Sequence, residues 1–151
     1  MGLKVYLPVA VVVFLAATTG ADLVARTSIA GQPFASALHE HLYYAGVQFV
    51  GTMFLLAPFI AVAFACAYVE KQARTRSALG IFAAAMVTLL YFYFEGHQAA
   101  QRDALQKMWT AATLDVGLLP FFIGGPVILA VAGAGALASK FDRRTSGRSR
   151  S

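Results

Sequence analysis

Residues 42–69 read LYYAGVQFVGTMFLLAPFIAVAFACAYV, a stretch of 28 residues without one charged side chain. A helix needs about 20 apolar residues to cross the hydrocarbon core of a bilayer. The stretch is therefore long enough to span a membrane, with residues left over for tilt or for turns at the interface. It predicts a transmembrane helix and, with it, the class of the whole protein.

The composition of the rest of the chain agrees with this prediction. Apolar residues make up 59% of the 151 residues and charged residues only 13%, against about 45–50% and about 25% in soluble domains. A soluble domain of this size has too much surface for its volume to bury so many apolar side chains. The single cysteine, Cys66, excludes an internal disulfide and any CxxC redox or zinc motif.

Three further apolar runs predict three more transmembrane helices. Residues 77–94 and 116–139 carry no charge, and residues 5–21 form a run that Asp22 ends. We predict an all-α integral membrane four-helix bundle, a single domain with spans at about residues 5–25, 42–69, 77–94 and 116–139. The first run also has features of a secretory signal peptide, because MGLK is basic and TTGADLVA offers small residues for cleavage. A retained helix is favoured, because residues 23–25 extend the apolar run beyond a usual signal core.

The lysine and arginine residues predict the orientation of these spans. Nine of the twelve lie on one side of the four-span topology and three on the other, and the excess marks the cytoplasmic face. Both termini are then cytoplasmic, in a membrane that fits a bacterial inner membrane. The basic tail, residues 140–151, is interpreted as a flexible topological anchor that attracts anionic lipid headgroups. Nucleic-acid binding is not expected, because no aromatic or motif support accompanies the charge.

The segment between the third and fourth spans has an apolar stripe of its own. In QRDALQKMWTAA, residues 101–112, the spacing places Leu105, Met108, Trp109 and Ala112 on one helical face. We predict an amphipathic helix at the outer interface here, or an extension of the third span beyond the bilayer.

The fourth span contains residues that disturb or crowd a helix. Pro120 and Pro126 each lack a backbone donor, and together they predict a kink near Gly125. The small residues 132–136 predict close packing against another helix, in the same bundle or in a partner or second copy of the chain.

Histidine and carboxylate side chains collect at the outer ends of the predicted spans. A metal site there could draw on five candidates, namely Asp22, His41, Glu95, His97 and Asp115. Two polar stripes lead toward them: His41, Gln48 and Thr52 in the second span, and Thr88, Tyr91, Glu95, Gln98 and Arg102 in the third. Polar side chains avoid lipid, so these stripes are expected to face each other or a wet cavity. Two residues turn a helix by about 200°, so His97 joins the Glu95 stripe only if Gly96 unwinds the helix.

Several chemistries fit these residues. A divalent metal could take His41, Glu95 and either Asp22 or Asp115, with His39 or His97 in support. A b-type haem could instead lie between His41 and His97. Proton transfer or quinone binding could use His41 and Glu95. The plain alternative is that helix ends at a membrane surface are simply polar, with Glu95 paired to Arg102. No nucleophile–base pair, P-loop or glycine-rich cradle is recognisable, so an enzyme is not favoured.

The sequence therefore supports three functions. The first is a non-catalytic accessory or assembly subunit of a larger membrane complex, because catalytic motifs are missing and span four has a small-residue face. The second is a metal- or haem-binding redox protein with its site at the outer helix ends. The third is a small transporter or proton-coupled protein, although span four has no ionisable residue between Asp115 and Lys140.

Overall fold

The computed structural model describes the backbone of residues 2–148 and the side chains of residues 2–141. This part of the chain is mostly helical and has no strand. In chain order the helices are α1 (Leu3–Leu15), α2 (Ala21–Ser28), α3 (Phe34–Val47), α4 (Phe49–Gln72), α5 (Thr75–Leu105), α6 (Trp109–Gly117) and α7 (Gly125–Arg148). Two short π-helical segments, Ala16–Gly20 and Pro120–Gly124, join α1 to α2 and lead into α7.

Four helical stretches are long and apolar enough to cross a membrane. They are Leu3–Ser28, Phe49–Gln72, Thr75–Leu105 and Trp109–Phe141. The prediction of an all-α protein with four helices long and apolar enough to span a membrane is thus confirmed. Large apolar side chains such as Val12, Val50 and Leu129 are at least 65% exposed on the outside of the bundle, where lipid tails rather than water suit them.

The core is a column of aromatic rings around α4. Phe59 of α4 packs edge-to-face on Phe14 of α1 and on Tyr93 of α5, with ring centroids 5.5 and 5.0 Å apart. Tyr6 and Phe82 form a similar pair at 4.8 Å nearer the other end of the bundle. Such contacts stabilise the packing of α1, α4 and α5 beyond simple burial of their area.

Glycines on the fourth span allow α7 to approach α4 closely. A Cβ atom on Gly124 would collide with the ring of Pro58, and one on Gly135 would collide with Val69. Gly133, by contrast, faces away from the bundle and has no neighbour within 4 Å of its Cβ position. Part of the predicted small-residue face therefore packs within the bundle, and part of it remains exposed.

The region before the second span is more helical than the sequence indicates. The predicted spans at about residues 5–25 and 42–69 leave the residues between them as a connecting loop, but only residues 29–33 separate α2 from α3. Gly31 makes the turn with a φ of 66°, a left-handed conformation that glycine adopts without steric cost. A break at Gln48 then divides the second apolar stretch into α3 and α4.

The segment between the third and fourth spans follows its prediction only in part: residues 101–105 extend α5 beyond the predicted third span, one of the two alternatives, but the helix does not continue through residue 112. Helix α5 ends at Leu105, and Lys107 takes a positive φ of 61° before α6 begins at Trp109. Leu105 and Trp109 consequently lie on different helices, so residues 105–112 do not form one continuous interfacial helix. A helical stripe requires unbroken helix geometry, which the left-handed residue interrupts.

The fourth span is irregular where the sequence predicts a kink. The π-helical segment Pro120–Gly124 ends directly before Gly125, and π-helical turns are a recognised source of helix bending. Beyond this point α7 continues to Arg148, through most of the predicted flexible tail. Residues 149–151 of that tail lie outside the described residues.

Candidate functional site

A cavity of about 610 Å³ opens at the end of the bundle where α2, α3 and α6 meet the last turns of α5. We call it the histidine cavity. Its polar lining comprises Thr18, Thr19, Asp22, His41, Gln48, Thr52, His97 and Thr113. Its apolar lining includes Phe14, Leu15, Leu42, Phe54, Leu55 and Val116. Its volume lies within the range of small-molecule sites, about 300–1,000 Å³.

His41 is held in the wall of the cavity by both of its ring nitrogens. Nδ1 lies 2.9 Å from Oδ2 of Asp22, and Nε2 lies 2.9 Å from the hydroxyl of Thr19. The Asp22 carboxylate also accepts a hydrogen bond from Nε of Arg26 at 2.7 Å. Arg26 extends the chain of contacts through a second 2.7 Å bond to Glu40. These four contacts together link α2, and the π-helical turn before it, to α3.

The partners of His41 fix its tautomer. An ionised carboxylate only accepts hydrogen bonds, so Nδ1 of His41 carries the proton that it shares with Asp22. In the neutral imidazole, Nε2 then has a lone pair, and it accepts the hydrogen bond of the Thr19 hydroxyl. His41 and Thr19 both line the cavity.

His97 approaches the same cavity from α5. Its side chain is buried, with 9% of the residue exposed, and Nδ1 lies 2.8 Å from the carbonyl oxygen of Tyr93. A carbonyl cannot donate, so Nδ1 carries the proton and Nε2 keeps its lone pair. Within residues 2–141, no side chain or backbone group hydrogen-bonds Nε2 of His97.

Helix α5 is anchored on both sides of His97. Gly96 lies against α6: a Cβ atom there would come 3.2 Å from the carbonyl oxygen of Asp115 and 2.8 Å from Leu119 Cδ1. Gln98 is buried and donates a 3.2 Å hydrogen bond to the carbonyl oxygen of Ala21. From the sequence, His97 joins the Glu95 stripe only if Gly96 unwinds α5. The helix is continuous there, and Gly96 instead permits close packing against α6.

The five predicted ligands do not share one location. Asp22, His41 and His97 line the histidine cavity, whereas Glu95 and Asp115 are absent from its lining. Glu95 is exposed, and Asp115 lies beside the carboxyl group of Asp103. In the part of the chain whose side chains are described, no group of three or more His, Cys, Asp or Glu residues is arranged to hold a metal ion.

The two predicted polar stripes differ in outcome. His41, Gln48 and Thr52 all line the cavity, so the stripe of the second span faces a cavity as expected. In the third span the expectation is wrong, because Tyr91 and Glu95 are exposed and only Gln98 of that stripe is buried. Glu95 and Arg102, both among the described residues, form no ion pair.

Two residues of the site, Thr19 and Arg26, are not among the candidates that the sequence suggests. In the sequence Thr19 belongs to an apolar run, and Arg26 counts only toward the charge that predicts the topology. The spacing of Asp22 and Arg26 at i and i+4 was a usable signal, because it places both on one helical face. The Thr19–His41 contact had no local signal, since 22 positions separate the two residues.

Comparison with protein-family models, with curated proteins and with solved structures finds no match to this chain. Any functional conclusion must therefore come from the geometry of the site itself. That geometry offers two imidazole rings from different helices, both of which border one partly polar cavity.

Proposed function

We propose that this membrane protein binds a small amphipathic ligand in the histidine cavity. One observation carries the proposal: His41 and His97 come from different helices, border the same cavity, and are each fixed through Nδ1 by an acceptor. A ring fixed in this way presents its Nε2 lone pair with little loss of side-chain entropy on binding. The function belongs to the second class that the sequence suggests, a ligand-binding protein with its site at the outer helix ends.

The lining of the cavity supports a ligand with an apolar body and a few polar atoms. Phe14, Leu55 and Val116 supply apolar walls, and the imidazoles and threonine hydroxyls supply directional contacts. The region beneath the cavity favours binding over transport. Phe59, Leu89 and Tyr93 are fully buried there and fill the centre of the bundle.

Mass spectrometry of the purified protein tests this proposal. The chain is solubilised from its membranes in mild detergent, and small molecules are extracted and identified. We expect one species to co-purify with the wild-type chain and to be lost from Ala45→Phe, which places a ring in the cavity lining. Ala35→Phe, on the same helix but outside the lining, is the matched control. Equal recovery of every species from all three chains would contradict the proposal.

We further propose that both termini are cytoplasmic and that the cavity faces outward from a bacterial inner membrane. The distribution of lysine and arginine, nine against three, supports this orientation. C-terminal fusions to alkaline phosphatase and to a green fluorescent protein test it. A fluorescent fusion without phosphatase activity is expected, and the reverse pattern would contradict the orientation.

A role as an accessory subunit is a second candidate, favoured by the exposed face of α7. Ala132, Gly133 and Ala136 are exposed next to each other on α7, and small residues of this kind permit close helix approach within a bilayer. Gentle solubilisation followed by sizing of the complex tests this role. A partner that co-purifies with the wild-type chain and is lost from Gly133→Leu would support it, whereas a lone monomer would remove it.

A further inference from the structure

We infer that the ligand of the histidine cavity is a b-type haem, with its iron between Nε2 of His41 and Nε2 of His97. This inference rests on the function proposed above and names its ligand. Among the ligands that the residues allow, a haem matches the number of histidines at the cavity and the hydrogen bonds that hold each of them.

The number of ligands separates a haem from a bare metal ion. A protein zinc site needs three or four protein ligands, and no group of three His, Cys, Asp or Glu residues is arranged for a metal within the described side chains. A haem brings four nitrogen donors in its own ring, so the protein supplies only one or two axial ligands. Two histidines are sufficient for a haem and insufficient for a bare ion.

The hydrogen bonds of the two rings match those of metal-ligating histidines. Such a histidine usually donates its other ring N–H to a carboxylate or a backbone carbonyl, which sets the tautomer and raises the basicity of the ligating nitrogen. His41 has the carboxylate of Asp22 at 2.9 Å, and His97 has the carbonyl of Tyr93 at 2.8 Å. Both rings therefore have their proton on Nδ1 and their lone pair on Nε2.

Nε2 of His97 has no other role in the described structure. The residue is 9% exposed, borders the cavity, and uses only Nδ1 for hydrogen bonding. Among the described side chains, Nε2 of His97 is not one of the buried polar atoms that lack a partner, so it is accessible from the cavity. A ligand there can reach its lone pair without displacing another protein group.

Nε2 of His41 must first be released by Thr19. The Thr19 hydroxyl has an alternative acceptor, because threonine in a helix readily bonds a carbonyl oxygen one turn earlier. Its neighbour Thr18 does so, at 2.9 Å from the carbonyl oxygen of Phe14. Rotation of Thr19 about χ1 therefore exposes the lone pair of His41 without leaving the hydroxyl unsatisfied.

The rest of the cavity suits both the apolar ring and the charged propionate groups of a haem. Phe14, Leu55 and Val116 offer apolar surface for the ring faces and edges. Gln48 and Thr113 line the cavity and are themselves exposed, so they form a polar rim. That rim is where the two propionate groups of a haem would remain hydrated.

Reconstitution with haem tests the inference directly. The purified full-length chain is titrated with haemin, and its absorption spectrum is recorded in the ferric state and after reduction with dithionite. We expect stoichiometric binding and the sharp visible bands of a six-coordinate, low-spin ferrous haem. His41→Ala and His97→Ala should each give a five-coordinate, high-spin spectrum, and free imidazole should restore the low-spin bands. His39→Ala is the matched control, because His39 is exposed and lies outside the cavity lining.

Thr19→Ala provides a test that does not depend on losing a ligand. It removes the hydroxyl that competes for Nε2 of His41, a hydrogen bond worth about 1 kcal/mol. Haem should then bind more tightly, by up to about fivefold, because the wild-type hydroxyl recovers part of this energy when it bonds a carbonyl oxygen instead. A merely structural role of Thr19 would leave the affinity unchanged or lower it.

The outcomes separate this inference from the function on which it rests. No haem binding, or a low-spin spectrum that persists in the His41→Ala, His97→Ala double variant, would overturn the assignment of haem. If extraction then recovers another small molecule from the wild-type chain, and Ala45→Phe abolishes its retention, the proposed function survives with a different ligand. If neither haem nor any extracted molecule depends on the cavity, both proposals fail.

Discussion

Nδ1 of His41 lies 2.9 Å from Oδ2 of Asp22, the same carboxylate oxygen that accepts the hydrogen bond of Arg26. One oxygen atom thus joins α3 to the first membrane-spanning helix and sets the orientation of an imidazole in the cavity wall. The side chains of all three residues are only 16–17% exposed, so water screens these contacts less than it would at an open surface.

Asp22→Asn should weaken this junction. The substitution keeps the shape of the side chain but removes the charge that Arg26 and His41 share, and hydrogen bonds to charged groups are worth about 1.5–3 kcal/mol. We expect the free energy of unfolding to fall by an amount in this range. Circular dichroism of the detergent-solubilised protein during denaturation measures it.

Glu40→Gln is the control for Asp22→Asn. Glu40 bonds the same arginine, but its side chain is 43% exposed, and exposed ion pairs contribute about 0–1 kcal/mol. The control should therefore lose less stability than Asp22→Asn. Equal losses would mean that Arg26, rather than the Asp22–His41 contact, provides the junction.

Tyr93→Phe should cost about 1 kcal/mol, the usual net value of one hydrogen bond. The Tyr93 hydroxyl donates to the carbonyl oxygen of Leu55 at 3.2 Å, close to Pro58, which lacks a backbone donor in this part of α4. Tyr91→Phe, two residues away on α5 and 59% exposed, should have almost no effect. The same denaturation experiment compares them, and an equal loss in both variants would show that the buried hydroxyl is not the cause.

Gly135→Ala and Gly133→Ala should change stability in opposite directions. A methyl group at Gly135 collides with Val69, a β-branched side chain that cannot easily move aside, so overpacking should cost about 1–3 kcal/mol. The same methyl group at Gly133 meets nothing within 4 Å, and alanine favours a helix over glycine by about 1 kcal/mol. Two losses of similar size, measured on the monomer in detergent, would contradict this assignment of the two faces of α7.

The sequence predicts the four spans well because a bilayer imposes one simple requirement, a long apolar helix. Residues 42–69 meet that requirement without reference to any neighbour. The direction in which a polar residue points is a different matter. The stripe pattern predicts that Glu95 faces the cavity, but Glu95 follows directly after the charge-free run 77–94, where a polar side chain is expected to reach water, so nothing forces it inward. In the structure its side chain is exposed.

The site is only partly predictable for a related reason. The polar stripe of His41, Gln48 and Thr52 is a local pattern, and it does face the cavity. The contact of Thr19 with His41 depends instead on the turn made by the five residues after α2, which brings α3 back against the first helical stretch. No spacing rule describes such a turn. The turn at Lys107 likewise interrupts a stripe that the spacing alone would continue.

Cys66 should react slowly with N-ethylmaleimide while the chain is folded. Its side chain is fully buried in the core, so labelling requires an opening that is rare in a protein of ordinary stability, about one part in a thousand or less. Ser36→Cys in a Cys66→Ala chain is the control, because residue 36 is exposed at the start of α3. Mass spectrometry over time compares the two rates, and similar rates would mean that the aromatic core around α4 is open in detergent.

Gly96→Ala should destabilise the bundle through a steric contact rather than through backbone conformation. Gly96 is in regular helix, where alanine is normally favoured, yet its added Cβ would meet Leu119 and the carbonyl oxygen of Asp115. We expect a loss of about 1–3 kcal/mol, whereas Gly117→Ala, with open space at its Cβ position, should show none. Leu119→Ala removes one of the colliding groups, so the double variant Gly96→Ala, Leu119→Ala should be more stable than the sum of the two single losses predicts, with a coupling of at least about 0.5 kcal/mol. Strict additivity would mean that α6 can move away from α5, and that Gly96 is not what holds α5 and α6 together beside His97.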